Sequence, residues 1–557
     1  MKKIFGWFFV FAFVTTAHAA DNKELRIGIA QEFESLNPVI HQMVASGYIG
    51  DMVTHHLDAA NAKWEWECHL CVEIPTLENG KAKLIEEGGV KKILVEWEIK
   101  SNAKWADGTL ITAKDVILGW QVGSSPNVAV GEKEIYTDIE AITPDPANPQ
   151  KFTMKYSKVK YDFNRLGTFY ILPDHVEKAV WEKTKNTPGE YEKQTKYTTE
   201  PTNLGLYSGP YKIVELQLGS HVIVEPNPHF YGEPAKIKKI IFKLIPDTAT
   251  LEANLLSGTI DVISELGLKL DQALAIEKRI ARDPVLSQKF KVLYREGTTY
   301  EHIDLNLKNP LLQDVRVRQA LVYAIDRDKL TQALFEGKQK KALHDRSPLD
   351  AYFTEDVVQY TYDPTKAAAL LDEAGFKKGQ DGYRYKDGQK LSFPLMTTAQ
   401  DKTRELVQVF LQNEWKKAGI DITIKNEPAR VYFGETVQKA KFPAMAMYAF
   451  VSTPDDPPRS TMHSSQIPTE DNAYNGQNRT SWSNPVADKN LENLYVEFDA
   501  SKRKEMMKAV LTEYTREVPV IPLYFRVDIA VVPTNLKGFE LTGHQFYSTK
   551  HANDWSF

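Results

Sequence analysis

Few residues or motifs in this sequence of 557 residues point to catalysis or to nucleic-acid binding. It contains no G-x-S-x-G nucleophile motif, no H-E-x-x-H zinc motif, no phosphate-binding G-x-x-x-x-G-K and no dinucleotide-binding glycine fingerprint. Positive charge is not in excess, because 69 Lys and Arg residues stand against 74 Asp and Glu residues. A nucleic-acid-binding surface needs concentrated positive charge, so we expect no nucleic-acid partner. We also expect no enzymatic activity, and a secreted hydrolase is the least favoured alternative.

Long hydrophobic runs are absent except at the N-terminus. There, Lys2 and Lys3 precede an apolar segment at residues 4–14, and Ala17-His18-Ala19 follows as an A-x-A cleavage site. The apolar segment is well short of the ~20 residues of a membrane-spanning helix. The sequence therefore predicts a cleavable signal peptide at residues 1–19. Because no cysteine lies near the cleavage site, we expect no lipid anchor.

Cysteine is nearly absent, and the only two cysteines are Cys68 and Cys71. In an exported protein the default expectation is a disulfide across this short C-x-x-C loop. A redox-active C-x-x-C is a second possibility, although no thioredoxin-like βαβ pattern surrounds it. A metal site combining the thiols with His55, His56 or His69 is a third.

Composition and length indicate a globular protein of two or three domains. Apolar and polar residues alternate over residues 93–99, which predicts a half-buried strand. Thr112 is placed to cap a following helix, and Asp363 with Pro364 begins another helix that Gly375 ends. The polar segment at residues 184–203 is predicted to be a loop.

Residues 314–330, DVRVRQALVYAIDRDKL, predict an amphipathic helix capped by Asp314. The residues expected on its buried face are Val317, Ala320, Leu321, Ala324 and Ile325. Charged residues are expected to surround that face: Arg316, Arg318, Asp326, Arg327 and Asp328. Periodicity alone supports no more than this helix.

The literal string is more specific than its periodicity. It resembles the D-x-RVRQA-h-h-x-AIDR signature of the large extracellular solute-binding proteins that serve peptide- and nickel-type ABC importers. Further strings resemble that family in the family's order: WADGTLITAKDV at 105–116, VIVEPNPHFY at 222–231, WSNP at 482–485 and VPVIPLYF at 518–525. The resemblance extends over essentially the whole mature chain.

The resemblance implies an α/β fold of two lobes, joined by crossing strands, with an extra domain inserted in the N-terminal lobe. The expected boundaries are 20–50, 205–290 and 525–557 for lobe I, 51–204 for the inserted domain and 291–524 for lobe II. In this family the ligand lies in the cleft between the lobes, and hinge closure buries it.

The implied function is capture of oligopeptides or dipeptides in the periplasm. The protein would deliver them to an ABC permease and ATPase complex in the inner membrane, as a monomer without a cofactor or a bound metal. The alternative is a binding protein for a metal chelate, haem or another small non-peptide solute.

The sequence departs from the family pattern at one position of the expected site. Relatives that hold a peptide amino terminus carry W-x-x-DY-x-DP, whose first Asp pairs with the ammonium. Alignment on Pro457 places Phe450 at the aromatic position and Thr453 where that Asp would be. Asp455, Asp456 and Glu34 are candidate replacements, and the two aspartates could instead only shape a turn.

Other ligand-binding candidates follow from family position. Arg430 and Arg459 could meet a carboxylate or phosphate bidentately, although each could equally be a surface or structural residue. The complete expected site is Glu32, Phe33, Glu34, Tyr300, Glu301, His302, Arg430, Phe450, Val451, Ser452, Thr453, Asp455, Asp456 and Arg459.

Overall fold

The computed structural model describes residues 24–557 apart from 42, 131–132, 454, 473 and 475. The predicted signal peptide at residues 1–19 lies outside the described residues. Within the described part, no helix combines the length and the apolar character needed to cross a bilayer.

Strands and helices are mixed along the whole described chain. The strands are β1 Glu24–Ile29, β2 Asp58–Ala60, β3 Trp66–Cys68, β4 Ala82–Glu87, β5 Val90–Glu98, β6 Ile139–Pro144, β7 Lys151–Tyr156, β8 Tyr211–Gln217, β9 His221–Pro226, β10 Lys239–Leu244, β11 Val262–Ile263, β12 Phe290–Leu305, β13 Lys377–Lys378, β14 Arg384–Lys386, β15 Gln389–Lys390, β16 Ser392–Thr398, β17 Asp421–Glu427, β18 Met445–Val451 and β19 Val520–Pro533. The helices are α1 Val44–Val53, α2 Ala113–Ser124, α3 Glu134–Thr137, α4 Asp174–Thr184, α5 Glu190–Gln194, α6 Lys196–Thr199, α7 Thr248–Leu256, α8 Leu270–Arg282, α9 Pro284–Lys289, α10 Val315–Tyr323, α11 Arg327–Phe335, α12 Pro364–Glu373, α13 Lys402–Lys417, α14 Ala429–Val431, α15 Arg459–Met462, α16 Pro485–Leu494 and α17 Ala500–Glu517. A 3-10 segment, Ser548–Asp554, lies near the C-terminus.

Each of the two lobes has its own hydrophobic core. Leu25 and Ile240 belong to the core of lobe I, whereas Ile303, Leu321 and Trp415 belong to the core of lobe II. This arrangement confirms the predicted two-lobed α/β fold.

Strands β12 and β19 connect the two lobes. The large sheet has the strand order β17-β16-β18-β12-β19-β11-β1-β10-β9-β8, so β12 and β19 lie at its centre. They pair antiparallel from Phe290 opposite Pro533 to Asp304 opposite Val520, with an irregularity between Glu296 and Tyr300. The lobe boundaries expected near residues 290 and 525 both fall on these crossing strands.

The inserted region has its own four-stranded sheet, in the order β4-β5-β7-β6. The predicted alternation in residues 93–99 is confirmed, because Ile93, Val95, Trp97 and Ile99 are all buried in one core. The expected start of the insertion, at residue 51, falls inside helix α1. This helix continues to Val53, and its apolar side chains are buried in the same core as Leu25 and Ile240.

Residues 184–203 are not the simple loop that their polarity predicted. They contain the short helices α5 and α6, whose Tyr191 and Tyr197 are buried in the lobe I core. The hydroxyl of Tyr191 donates to Glu177 at 2.8 Å, and the backbone N–H of Lys196 donates to the same carboxylate at 2.6 Å. Aromatic burial and a hydrogen-bonded glutamate therefore order this segment.

The predicted cap of the 314–330 helix is confirmed, but the helix is shorter than expected. Asp314 accepts from the N–H of Arg316 at 2.9 Å, and helix α10 ends at Tyr323. A second helix, α11, begins after Asp326, which accepts from the N–H of Lys329. Two consecutive capped helices therefore replace the single predicted one.

Two arginines of this segment are buried rather than exposed. Arg318 donates to the carbonyls of Glu517 and Leu312, and Arg327 donates to the carbonyls of Ala342, Pro522 and Tyr360. Backbone carbonyls satisfy both guanidinium groups, which allows charged side chains to be buried in lobe II. The string RVRQALVYAIDR is thus a scaffold element that anchors α10 and α11.

The other predicted caps are present. Thr112 accepts from the N–H of Lys114, and Asp363 accepts from the N–H of Lys366. Gly375 has φ +91° just after α12, a conformation that favours glycine.

Candidate ligand-binding site

A cavity of about 80 Å³ lies in lobe II, beside the crossing strands. Its walls include Tyr300, His302 and Asp304 from β12, and residues 448 and 450–453 from β18 and the segment after it. The two strands pair directly, with Tyr300 opposite Phe450 and His302 opposite Tyr448. Strand pairing therefore brings two sequence-distant segments to one pocket.

Several residues predicted from the sequence line this cavity. They are Tyr300, His302, Phe450, Val451, Ser452, Thr453 and Asp456. The ring of Tyr300 stacks on that of His302 with centroids 4.9 Å apart. The hydroxyl of Thr453 accepts from Gln545 at 3.4 Å, which connects the pocket wall to the C-terminal segment of lobe I.

The remaining predicted residues are not on the wall of this cavity. Phe33 is buried in the lobe I core, Glu32 and Arg430 are exposed, and the Glu34 carboxylate accepts from the N–H of Met43.

Glu301, Asp455 and Arg459 also lie away from the cavity wall. Glu301 is buried and forms ion pairs with Arg404 and Arg526. Asp455 pairs with Arg165 of the inserted region at 3.0 Å, and Arg459 begins helix α15.

One polar network of the cavity centres on Asp304. It accepts from the hydroxyl of Tyr448, and Nε2 of His302 lies 3.3 Å from its other oxygen. Arg479 in turn donates to the Tyr448 hydroxyl at 3.2 Å. Burial raises the pKa of Tyr448 well above its ordinary value of 10.0, so the phenol stays protonated.

A second network centres on Arg346, which donates to Asp345 at 2.7 Å and to Asp350 at 3.3 Å. Burial opposes its charge, but the two carboxylates raise the pKa of Arg346 overall. The Oδ1 atom of Asp345 and the hydroxyl of Tyr300 are buried without a hydrogen-bond partner among the residues that the structure describes. Asp345 and Tyr300 both belong to the residues that line the cavity, and a buried polar atom without a partner is energetically costly.

Carboxylates outnumber cationic side chains around the cavity. Asp304, Asp345 and Asp456 line it, whereas Arg346 is its only lysine or arginine among the described lining residues. Asp304, Asp345 and Arg346 were not predicted from the sequence. Strand parity with Tyr300 and His302 could have identified Asp304, but nothing local marks the other two.

Two further acids lie near each other and partly buried in lobe I, Glu265 after β11 and Asp528 on β19. Within the described chain, neither forms an ion pair, and both oxygens of Glu265 lack a hydrogen-bond donor. Burial raises the pKa of Asp528 to about 6, and burial with the nearby charge of Asp528 raises that of Glu265. Because both pKa values are raised, the pair carries less than two negative charges near neutral pH.

The cavity wall carries no cluster of metal ligands in the described residues. Among the described residues, one group of His, Cys, Asp or Glu side chains has converging ligand atoms. It consists of Glu67, His69 and His551, and none of the three lines the cavity. Cys68 and Cys71 form a disulfide, so the structure contradicts the alternative of a metal site built on their thiols.

Comparison with known proteins agrees with the two-lobed fold. A family model described as bacterial extracellular solute-binding proteins, family 5 Middle, matches residues 94–469. The oligopeptide-binding protein AppA of Bacillus subtilis is 26% identical over 93% of this chain and 89% of its own length. The crystal structure of the Thermus thermophilus oligopeptide-binding protein with a pentapeptide is 27% identical, with a TM-score of 0.72 over 96% of each chain.

Another similar structure has a different kind of ligand. NikZ of Campylobacter jejuni in complex with Ni(L-His) is 24% identical, with a TM-score of 0.73 over 96% of this chain and 100% of that one. At this identity the likeness concerns the fold alone.

Proposed function

The chain belongs to the bacterial extracellular solute-binding proteins of family 5, and we propose that it captures peptides between its lobes. In this proposal the signal peptide at residues 1–19 directs it to the periplasm without lipidation. The monomeric protein then delivers its ligand to an ABC permease and ATPase complex in the inner membrane. It has no catalytic role.

The observation that carries this proposal is the acid-rich, aromatic cavity in lobe II, beside the crossing strands. At the ~30 Å³ that one water molecule takes up in the liquid, the cavity has room for roughly two or three water molecules. That space suits one side chain or one terminus of a peptide rather than a whole peptide. The rest of the ligand would lie along the cleft between the lobes.

We assign the ligand's positive charge to Asp345 and Asp304, which compensate for the missing Asp at Thr453. Asp345 already pairs with Arg346 through Oδ2, but its buried Oδ1 has no donor in the described structure. An ammonium in the cavity would supply that donor and satisfy a buried acceptor. The hydroxyl of Tyr300 can accept or donate at the same point.

Closure would bend the molecule at the crossing strands. Gly297 lies at the irregularity in the β12–β19 pairing, where a Cβ atom would come within 3.0 Å of the carbonyl oxygen of Arg526. In this proposal, contacts that hold the closed state include Gln545 with Thr453, and Arg165 with Asp455. A ligand stabilises this state only by binding it better than the open one.

Native mass spectrometry of the protein as purified tests the ligand class. We expect a series of co-purified peptides. A single adduct that is lost with a chelator would instead support the alternative of a metal chelate, and product formation from a peptide pool would contradict both.

Calorimetry with the best-binding member of a synthetic di- to pentapeptide pool tests the assigned acid. Asp345→Asn should weaken binding at least tenfold, because a charge-assisted hydrogen bond in a buried site is lost. Asp350→Asn is the matched control, since Asp350 contacts the same Arg346 but does not line the cavity. Equal affinity in both variants would remove Asp345 from the site.

A further inference from the structure

Three side chains with metal-ligating atoms converge away from the peptide cavity. Nε2 of His69 and Nε2 of His551 each lie 3.4 Å from the same oxygen, Oε1 of Glu67. All of the candidate ligand atoms are within 4.8 Å of one another. Both separations exceed the ~2.7–2.9 Å of a charge-assisted hydrogen bond. The imidazoles therefore face the carboxylate without forming a strong hydrogen bond to it.

The spacing fits a common metal centre. Zinc binds imidazole nitrogen at about 2.0–2.1 Å and carboxylate oxygen at about 2.0–2.2 Å, so adjacent ligands of a tetrahedral ion are roughly 3.4 Å apart. The two measured distances equal this edge. Two histidines and one carboxylate leave the fourth position for water or another ligand.

His69 gives a second, independent observation. It is only 5% exposed, and its Nδ1 has no hydrogen-bond partner among the described residues. Its Nε2 lies 3.4 Å from the carboxylate of Glu67, which is too long for a strong hydrogen bond. A buried imidazole that lacks good partners on both nitrogens is costly, and coordination at Nε2 would remove part of that cost.

The local fold holds the three side chains before any ion binds. Glu67 lies on β3 opposite Ala59 of β2, and the disulfide between Cys68 and Cys71 closes the loop that carries His69. The N–H of His69 also donates to the carbonyl of Leu57 at 3.0 Å.

The position of His551 is fixed from the opposite end of the chain. Its neighbour Lys550 has a carbonyl that lies 3.2 Å from Nε2 of His55, within hydrogen-bonding distance. The candidate ligands therefore come from an N-terminal hairpin and from the C-terminal 3-10 segment, which a shared ion would connect.

The nearby lysines have partners of their own. Lys550 forms an ion pair with Asp51 at 2.8 Å, and Lys100 donates to the carbonyl of His69. Glu67 therefore remains the carboxylate that faces the two imidazoles.

We propose that Glu67, His69 and His551 bind one divalent transition-metal ion of the zinc type. The nitrogen-rich donor set favours Zn²⁺, Ni²⁺ or Cu²⁺ over Mg²⁺ and Ca²⁺, which prefer oxygen ligands. The ion stabilises the folded protein by connecting the hairpin to the C-terminal segment, and this site is separate from peptide binding.

Zinc titration of the untagged, metal-stripped protein without reductant tests the proposal. Calorimetry should show one Zn²⁺ per chain, and the bound ion should raise the melting temperature. His551→Ala and Glu67→Gln should each weaken binding at least tenfold, and Ca²⁺ should give no heat of binding. Both altered side chains are about one-third exposed, so we expect both variants to fold.

His221→Ala is the matched control. His221 also faces a single glutamate, Glu215, at 3.0 Å, but no third ligand joins this pair in the described part of the chain. This variant should bind zinc as the unaltered protein does. Absence of stoichiometric binding to the unaltered protein, or unchanged affinity in His551→Ala and Glu67→Gln, would overturn the proposal. Peptide affinity without zinc is measured separately, so the metal-site proposal and the peptide-binding proposal can be refuted independently.

Discussion

Removing the ion pair between Arg165 and Asp455 should weaken peptide binding without changing the pocket. Nη2 of Arg165, in the inserted region, lies 3.0 Å from Oδ2 of Asp455 in lobe II. The guanidinium also lies 5.7 Å from the ring of Trp66 and 5.4 Å from that of Tyr161. Tyr161 adds a bond from its hydroxyl to the carbonyl of Asp455. These contacts join the inserted region to lobe II, and in the proposed mechanism they stabilise the closed state.

The size of the effect follows from burial. A hydrogen bond to a charged group contributes about 1.5–3 kcal/mol, and exposed ion pairs contribute at most about 1 kcal/mol. The two side chains are 20% and 17% exposed, so we expect about 1–2 kcal/mol of closed-state stability. If binding requires closure, Arg165→Gln should weaken peptide affinity by roughly 5- to 30-fold.

A double-mutant cycle by calorimetry measures this contribution. The variants are Arg165→Gln, Asp455→Asn and their combination, with a peptide from the synthetic pool as ligand. The two single losses should be similar, and the double variant should lose little more. Lys83→Gln is the control, because its ion pair with Glu96 lies within the inserted sheet and both side chains are more than half exposed. Unchanged affinity in Arg165→Gln, or an equal loss in the control, would refute this account of closure.

Three other outcomes follow from individual side chains. Thr453→Asp should favour peptides with a free amino terminus over N-acetylated ones by about tenfold in competition binding, and equal affinity for both would place Thr453 outside the pocket. Leu321→Ala should lower the free energy of unfolding by about 2–5 kcal/mol in urea titrations, because Leu321 is fully buried, whereas exposed Leu406→Ala should change it little. Burial raises the pKa of Asp58 from 3.8 to about 8, so stability is lost as pH rises from about 4 to 8. Asp58→Asn should lose less stability over that range, by up to about 5 kcal/mol, and an identical pH profile would contradict the shift.

Local sequence signals predicted the elements whose cause is local. Asp314 and Thr112 cap helices because their side chains accept nearby N–H groups, and residues 93–99 alternate because one face of the strand is buried. Arg318 was misplaced because the carbonyls that satisfy it come from distant residues such as Glu517. Helix periodicity cannot report such partners.

The candidate site also contains residues that local sequence patterns identify and residues that only the tertiary fold brings together. Tyr300 and His302 were predicted with Glu301, although side chains alternate across a strand. Glu301 accordingly faces Arg404 and Arg526 on the other side. Strand parity alone would have excluded it.

Asp345 was missed for a different reason. It lies outside the helices and strands, and Arg346 beside it reaches the carbonyl of Asp456, far along the chain. Only the tertiary fold brings that segment to the cavity.

Small-angle X-ray scattering with and without a saturating peptide tests the central claim, closure of two lobes over a ligand, most directly. We predict that the radius of gyration falls on binding and that Arg165→Gln shifts the unliganded ensemble toward the open form. Identical profiles at a peptide concentration shown by calorimetry to saturate the protein would contradict closure as the basis of capture.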